Sequence, residues 1–320
     1  MTRRATLAGM IFPSQKRHGH AIQPDMRIFD RRLVRKHRDR AAGNFVAHDF
    51  LVREVAERLA DRLDDVKRRF PVALDLGCHT GEMADTLKGR GGIETLVQCD
   101  LSPAMAAKAA ANGHPTLAAD EEWLPFAAHS FDLVVSCLSL HWVNDLPGTL
   151  LQIRRVLKPD GLFIAALLGA GTLGELRQSL QESELAEEGG VSPRVAPFAD
   201  VKDLGALLQR AGFTLPVADA DTVPVSYADP MRLMADLRGM GETNAVAEQR
   251  KGLTRRATLL RAIALYQERF AGPDGRLPAT FQVLTMTGWA PHPCQPTAAP
   301  QGCAIPGLPD LMGRMSPETE

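Results

Sequence analysis

The stretch Val72-Ala-Leu-Asp-Leu-Gly-Cys-His-Thr-Gly81 decides how the rest of the chain is read. Its first five residues make a short apolar run that stops at Gly77, the pattern of a buried strand. A helical pattern from Glu82 to Gly89 follows. A glycine turn between strand and helix lets the main chain approach a ligand closely and aims backbone N–H groups at it. Spacing then decides which ligand. The dinucleotide fingerprint Gly-x-Gly-x-x-Gly, laid from Gly77, needs glycines where the chain has His79 and Glu82. The P-loop also fails, because no Gly-Lys-Ser/Thr follows.

Outward from this loop the pattern alternates. Thr95–Asp100 reads as a second strand, and Ser102-Pro103 opens a helix over Ala104 to Ala111, hydroxyl at N-cap and proline at N1. Further strands fit near Pro115 to Ala119 and at Phe131–Cys137. Leu146 to Leu157 is helical, stops at the turn Lys158-Pro-Asp-Gly161, and leads into a strand at Leu162 to Leu168. Residues 70–170 thus read β-α-β-α-β-β-α-β, which implies a doubly wound α/β fold with a parallel sheet covered on both faces. Before them, apolar residues at 51, 52, 55, 56, 59, 60 and 63 make a helical stripe. After them come a helix over Val201 to Gly212, strands within 213–227 and 280–289, and a helical cap over 229–270.

Ligands of such sheets sit beyond the carboxyl ends of the strands. Asp75 lies two residues before Gly77, and Asp100 closes the next strand 23 residues past Gly77. Asp100 is placed to accept both hydroxyls of a ribose, and Asp120 lies where a base would fall. The set suits an adenosine ligand without phosphate and with a charged amino-acid end.

Composition bounds the function. The 320 residues are 45% apolar and 23% charged, enough for a substantial core. Lys+Arg 37 against Asp+Glu 38 gives a net charge of -1, which argues against a general nucleic-acid binder. No stretch approaches the roughly 18 apolar residues of a membrane span. Five irregularly spaced cysteines without a signal-peptide pattern suggest a reducing compartment. The excess of Arg over Lys suggests a GC-rich bacterial genome, hence a cytoplasmic protein. Residues 1–40 carry eleven Lys/Arg against three acids. That bias fits an unstructured leader over 1–25 or a mitochondrial presequence, with the matrix side of the inner membrane as destination. A helical segment over 26–70, the main domain over 70–289 and a proline-rich loose tail over 290–320 complete the division.

Leu74-Asp-Leu-Gly-Cys-His-Thr-Gly81, Asp100, Ala119-Asp-Glu-Glu-Trp-Leu-Pro-Phe126, Phe131-Asp-Leu-Val-Val-Ser136 and Leu157-Lys-Pro-Asp-Gly161 resemble, in order, the motif series of class I S-adenosylmethionine-dependent methyltransferases. The resemblance implies a seven-stranded, Rossmann-like sheet with its last strand antiparallel, and S-adenosyl-L-methionine as cofactor. It places Asp75, Gly77, Cys78 and Gly81 around the methionine part, Asp100 on the ribose with Leu101 beside it, and Asp120 with Glu121 at the adenine. The family usually has glycine where this chain has His79. Either His79 adopts the turn and points outward, or its bulk weakens cofactor binding.

More specific words lie outside that core: Ile28-Phe-Asp-Arg31, Ser139-Leu-His-Trp-Val-Asn-Asp-Leu-Pro147, Gly171-Thr-Leu-Gly-Glu-Leu-Arg177, Glu188-Gly-Gly-Val-Ser-Pro193, Leu237-Arg-Gly-Met-Gly-Glu-Thr-Asn244 and Pro278-Ala-Thr-Phe-Gln282 ahead of Gly288-Trp289. Together they resemble the respiratory complex I assembly-factor group, the arginine-hydroxylase NDUFAF5-like proteins. This implies a protein substrate, a peripheral-arm subunit of complex I modified on arginine. A milder resemblance is to malonyl-acyl-carrier-protein O-methyltransferases of biotin synthesis. A non-catalytic chaperone that keeps the fold is a third possibility. Methyl transfer asks mainly for alignment and exclusion of water. Hydroxylation normally needs iron or flavin, and 70–289 holds no His-x-Asp/Glu pair for an iron facial triad.

His141 and Trp142 follow the fourth strand, where loops face the ligand. His141 is a candidate to orient a substrate or move a proton; the alternative is a loop histidine beside a lid tryptophan. Asp30 and Arg31 either lock a lid or form a surface ion pair. Glu242 and Asn244 either hold a guanidinium or cap a helix and a turn. The basic run Arg31 to Arg40 is a solvated helix face, or a contact for an acidic partner or an anionic membrane surface. Cys78, Cys99 and Cys137 pack as small hydrophobes. His292-x-Cys294 with Cys303 lacks the spacing of a metal site.

Overall fold

The computed structural model describes residues 27–293 and 295. Seven strands form one sheet: β1 Val72–Leu76, β2 Thr95–Asp100, β3 Thr116–Ala118, β4 Phe131–Cys137, β5 Leu157–Leu168, β6 Thr214–Tyr227 and β7 Leu277–Trp289. Their order is β3-β2-β1-β4-β5-β7-β6. The first five run parallel, and β7 pairs antiparallel with both β5 and β6. Strand order reverses between β1 and β4, the switch point at which sheets of this kind take their ligands.

Period-two alternation builds a core on each face of the sheet. Leu162, Ile164, Ala166 and Leu168 of β5 join the cluster under α2 (Phe50–Asp64), while Phe163, Ala165 and Leu167 join the cluster under α5 (Leu146–Val156) and α7 (Val201–Arg210). Helix α2 buries the predicted stripe in full: Leu51, Val52, Val55, Ala56, Leu59, Ala60 and Leu63. Each such aliphatic side chain of Val or Leu size contributes about 1.5–3 kcal/mol on burial. The short helix α3 (Glu82–Thr86) ends earlier than its sequence pattern suggests. Helix α4 (Pro103–Ala109) starts as expected, Ser102 Oγ accepting from the Met105 amide at 3.1 Å.

The turn at 158–161 lies inside β5. Phe131 pairs with Leu157 and Leu133 with Leu162, so β5 carries three extra residues there, with Asp160 at φ 61. The expected cap over 229–270 is two helices, α8 (Pro230–Gly239) and α9 (Arg256–Phe270), and the segment between them is not helical. A third cap helix, α6 (Gly174–Glu188), has no counterpart in the sequence reading. Its buried residues are Leu176, Ser179, Ser183 and Glu184, mostly polar, so an apolar count passes over them.

The expected leader, 1–25, lies outside the described residues, as does the tail from 296 onward together with Cys294 and Cys303. Residues 290–293 and 295, counted with the tail from sequence, follow β7 and are fastened to the turn at 158–161: Ala290 exchanges backbone hydrogen bonds with Asp160 and Gly161, and Gln295 donates to the Asp160 carboxylate at 2.7 Å. Among the described residues no helix is long and apolar enough to cross a membrane.

Candidate functional site

The loop after β1 takes the shape that its glycines demand. Gly77 (φ 76) and Gly81 (φ 106) hold left-handed backbone, and a Cβ on Gly77 would collide with Ser139 Oγ. The amides of Gly77 and Cys78 both donate to the Cys99 carbonyl, drawing the loop over the end of β2. Three acids gather there without solvent: Asp75, Asp100 and Glu121 are all fully buried. Asp100 Oδ1 accepts from the Ser102 amide at 2.7 Å and Oδ2 from the His79 amide at 3.2 Å. Asp75 accepts only from Gln98 Nε2, at 3.4 Å, and its Oδ1 has no partner among the described residues. Burial, reinforced by Glu82 and Asp100, pushes the Asp75 carboxyl up to about 8.

His79 corrects an expectation. Its backbone does adopt left-handed angles (φ 48), but the ring points inward and is 2% exposed. Nε2 lies 3.0 Å from the Cys137 carbonyl, and the ring stacks on Phe45 at 5.4 Å. It fills space that a glycine would leave open.

The acids are met by cations from helix α1 (Arg31–Ala41). Arg38 Nη1 lies 3.0 Å from Glu121 Oε1 and 3.4 Å from Asp100 Oδ2, and Nη2 donates to Ser139 Oγ at 3.0 Å. Arg31 Nη2 binds Asp120 Oδ1 at 2.6 Å and also Glu121 Oε2. Burial alone would push Glu121 up, yet Arg31 and Arg38 outweigh it and hold the carboxyl well below its usual range. The basic run is therefore only half a solvated face: Arg32, Arg35 and Lys36 are exposed, while Arg31 and Arg38 turn inward to acids of their own chain. Spacing carries this signal. Val34 and Ala41, seven residues apart on one helix face, bracket Arg38 and are buried with it. Asp30 does not pair with Arg31; it caps α1 through the amides of Arg32 and Leu33.

The specific words of the sequence meet here. The Phe29 amide donates to Asn144 Oδ1 at 2.8 Å, Asp30 N to the Ala245 carbonyl at 2.8 Å, and Asn144 Nδ2 back to the Phe29 carbonyl. Phe29 meets Trp142 edge-on at 5.2 Å, and Leu101 packs against their cluster. His141 and Trp142 are buried, and both reach Glu242 Oε2, at 3.0 and 2.9 Å. Glu242 Oε1 is left without a donor among the described residues. Burial would raise Glu242, but His141, and then Arg38, outweigh it and keep the carboxyl ionised. Asn244 is structural: it donates to the Pro193 carbonyl and accepts from the Val246 amide.

Beyond Trp142 and Glu242 a cavity of about 410 Å³ opens under the cap, walled chiefly by Leu168, Leu176, Phe198, Leu237 and Phe281. Cys78, Cys99 and Cys137 are buried free thiols, pushed well above the usual thiol range by burial. A His-x-Asp word does exist before residue 70, at His37-Arg38-Asp39, but its groups diverge: His37 meets the Thr243 carbonyl and Asp39 the Ser102 hydroxyl. No three His, Cys, Asp or Glu side chains among the described residues group as metal ligands.

The donor set fits S-adenosylmethionine in chemistry. Asp75 has a spare buried acceptor for an ammonium, and Asp100 stands at the end of β2 for a ribose. The space above them, however, is filled by His79 and Arg38. Residues 74–165 match the family model described as a methyltransferase domain. The solved YcgJ protein of Bacillus subtilis superposes with a TM-score of 0.52 at 16% identity, over 73% of this chain and 98% of that one, which supports the fold. The fold, the loop and the match define a protein of the class I S-adenosylmethionine-dependent methyltransferase fold. Human "Arginine-hydroxylase NDUFAF5, mitochondrial" is 47% identical over 290 residues, 89% of this chain and 84% of its own length. A malonyl-[acyl-carrier protein] O-methyltransferase of Methylovorus is 37% identical over 84% of this chain and 92% of its own. The chain belongs to the NDUFAF5 family.

Proposed function

We propose that the protein is an S-adenosylmethionine-binding enzyme that modifies an arginine side chain of a peripheral-arm subunit during complex I assembly. The observation that supports it is Glu242: an ionised carboxylate, steadied by His141 and Trp142, with one oxygen free, on the wall of an apolar cavity beside the strand-end acids. The apolar wall accommodates the aliphatic stem of an arginine and excludes water, and Glu242 receives the guanidinium through charge-assisted hydrogen bonds. Asp100 would accept from the ribose, Asp75 from the methionine ammonium, and Asp120 with Glu121 would face the adenine. The bound cofactor supplies an activated methyl group. Methylation and hydroxylation share the first requirement, an arginine held against Glu242.

Calorimetry with S-adenosylmethionine, with NAD as control, tests the cofactor half. Micromolar binding that Asp100→Ala weakens by about 10- to 100-fold is expected from the loss of hydrogen bonds to a charged acceptor; binding indifferent to that substitution removes Asp100 from the site. An arginine-containing peptide from the peripheral arm should lose a similar factor with Glu242→Gln. No cofactor binding at all would favour a chaperone that keeps the fold. Arg238 supports a second reading. It lines the cavity and makes none of the described ion pairs, so it suits the carboxylate of a malonyl thioester. Methyl transfer to malonyl-acyl carrier protein, lost with Arg238→Ala, would establish it.

A further inference from the structure

We infer that helix α1 and the nucleoside part of the cofactor are alternative occupants of one site, so that the cofactor binds only when α1 has swung out. The inference rests on the reading of Asp100, Asp120 and Glu121 as the nucleoside acids, and it concerns what controls access to them.

Every one of those acids is engaged by α1. Arg38 binds Asp100 and Glu121, and Arg31 binds Asp120 and Glu121. The two arginines lie seven residues apart, two helical turns on one face, so they enter and leave together. A ribose diol and a guanidinium both approach a carboxylate as donors, and Asp100 is fully buried beneath the guanidinium. The two arginines also have a role without ligand, since buried carboxylates left unpaired are strongly destabilising.

Helix α1 is built to leave. Its buried apolar residues are Val34 and Ala41 alone, against seven in α2. Leu33 adds a partly buried contact with the Phe29–Trp142 cluster, and the rest of its grip is polar: His37 and Arg40 on Thr243, Asp39 on Ser102, and the two arginines. Between α1 and α2, Gly43 has nothing within 4 Å of a would-be Cβ, and a single 3-10 turn spans Phe45–Ala47. This is a short joint between a helix held mainly by polar contacts and one anchored by seven apolar side chains. Phe45 stays with the core, stacked on His79.

Hydrogen–deuterium exchange of the full chain with and without saturating S-adenosylmethionine tests the exclusion. Amides over 31–41 should exchange faster with the cofactor present, while those over 50–64 stay unchanged. Arg38→Met should tighten binding, by about tenfold if the open form is roughly a tenth of the population. Because Arg38→Met strips Asp100 of its cation, Arg31→Met, which leaves Glu121 paired with Arg38 and otherwise frees the partly exposed Asp120, provides the same readout in a less perturbed fold. Cofactor binding with α1 equally or better protected, or weaker binding by both arginine variants, would overturn the inference and leave the cofactor reading intact; α1 would then be a clamp. Tightening by His79→Gly alone, with α1 still protected, also overturns it and assigns the block to the imidazole. No binding by the wild type or any of the three variants would remove both readings.

Discussion

The carboxyl end of the sheet has two unlike halves. Above β1, β2 and β4 the chain is sealed: Asp75, Asp100 and Glu121 are buried, and arginines from α1 close over the last two. Above β5 and β7, under α6, α8 and α9, it is open and apolar, with a cavity of about 410 Å³. The difference follows from what each half ends in. Strands that end in carboxylates need cations at once, because an unpaired buried charge is far more unfavourable than an empty apolar volume. Where β5 ends in Leu168 beside Phe281 of β7, a cavity can remain at the cost of lost dispersion contacts. The chain's own side chains thus fill one half only, and Glu242 joins the two.

The largest expected effect comes from breaking the sealed half. Arg38→Met leaves Asp100 and Glu121 facing each other without their central cation and should destabilise by about 3–5 kcal/mol. By the usual scaling, that lowers Tm by roughly 6–15 °C. Adding Glu121→Gln to Arg38→Met should recover part of the loss, since the two positions are coupled through one ion pair. Urea unfolding of the wild type and the two variants measures this. A loss under about 0.5 kcal/mol for Arg38→Met would mean that water already reaches the acids, and the contrast between the halves would disappear.

A smaller effect separates Asp75 from its neighbours. Its native carboxyl is raised to about 8, so between about pH 4 and pH 8 the folded chain keeps a proton that the unfolded chain gives up. The contribution of Asp75 is fully present below pH 4 and is lost as pH rises towards 8. Asp75→Asn has no proton to lose. Its stability relative to wild type should climb from near zero at pH 4 towards pH 8, by at most about 1.4 kcal/mol per pH unit. Glu121 and Glu242, both lowered, act in the opposite sense: their contribution is present above the unfolded carboxylate range and fades as pH falls. Since both proteins share them, they cancel in the comparison. A difference that is flat with pH would show that Asp75 ionises normally, and that a cation or water meets it.

Much of this was legible in the residues, and for a reason. The α2 stripe, the strand at 72–76 ending at Gly77 and the Ser102 cap are local patterns, and seven of seven stripe positions are buried. The acids at 75, 100 and 120 were legible by spacing, with Gly77 and Gly81 fixing the turn, and Glu121 only by resemblance. Tertiary facts were not. His79 turns inward because Phe45 and the Cys137 carbonyl, 34 residues before and 58 after, offer it a stack and an acceptor. Arg38 looks solvated in sequence because its three acidic-site partners lie 62, 83 and 101 residues away. Helix α6 hides because it buries Ser179, Ser183 and Glu184, with Ser183 donating to the Thr258 carbonyl of α9. Buried polar contacts leave no apolar period to count.

The open half can be tested by two truncations of the same residue type. Leu133 is fully buried in β4, packed on every side in the core under α2, whereas Leu176 on α6 is 5% exposed and lines the cavity. Removing the same atoms carries the same transfer penalty, so any difference in cost reflects the new void each leaves. Leu133→Ala opens a hole in close-packed core and should cost about 2–5 kcal/mol. Leu176→Ala enlarges a volume that already exists, and many of its contacts are missing beforehand, so it should cost about 1–2 kcal/mol less. Chemical denaturation of both variants reads the gap. Equal costs would mean that the cap closes onto Leu176 in solution, and that the cavity forms only when something enters to hold it open.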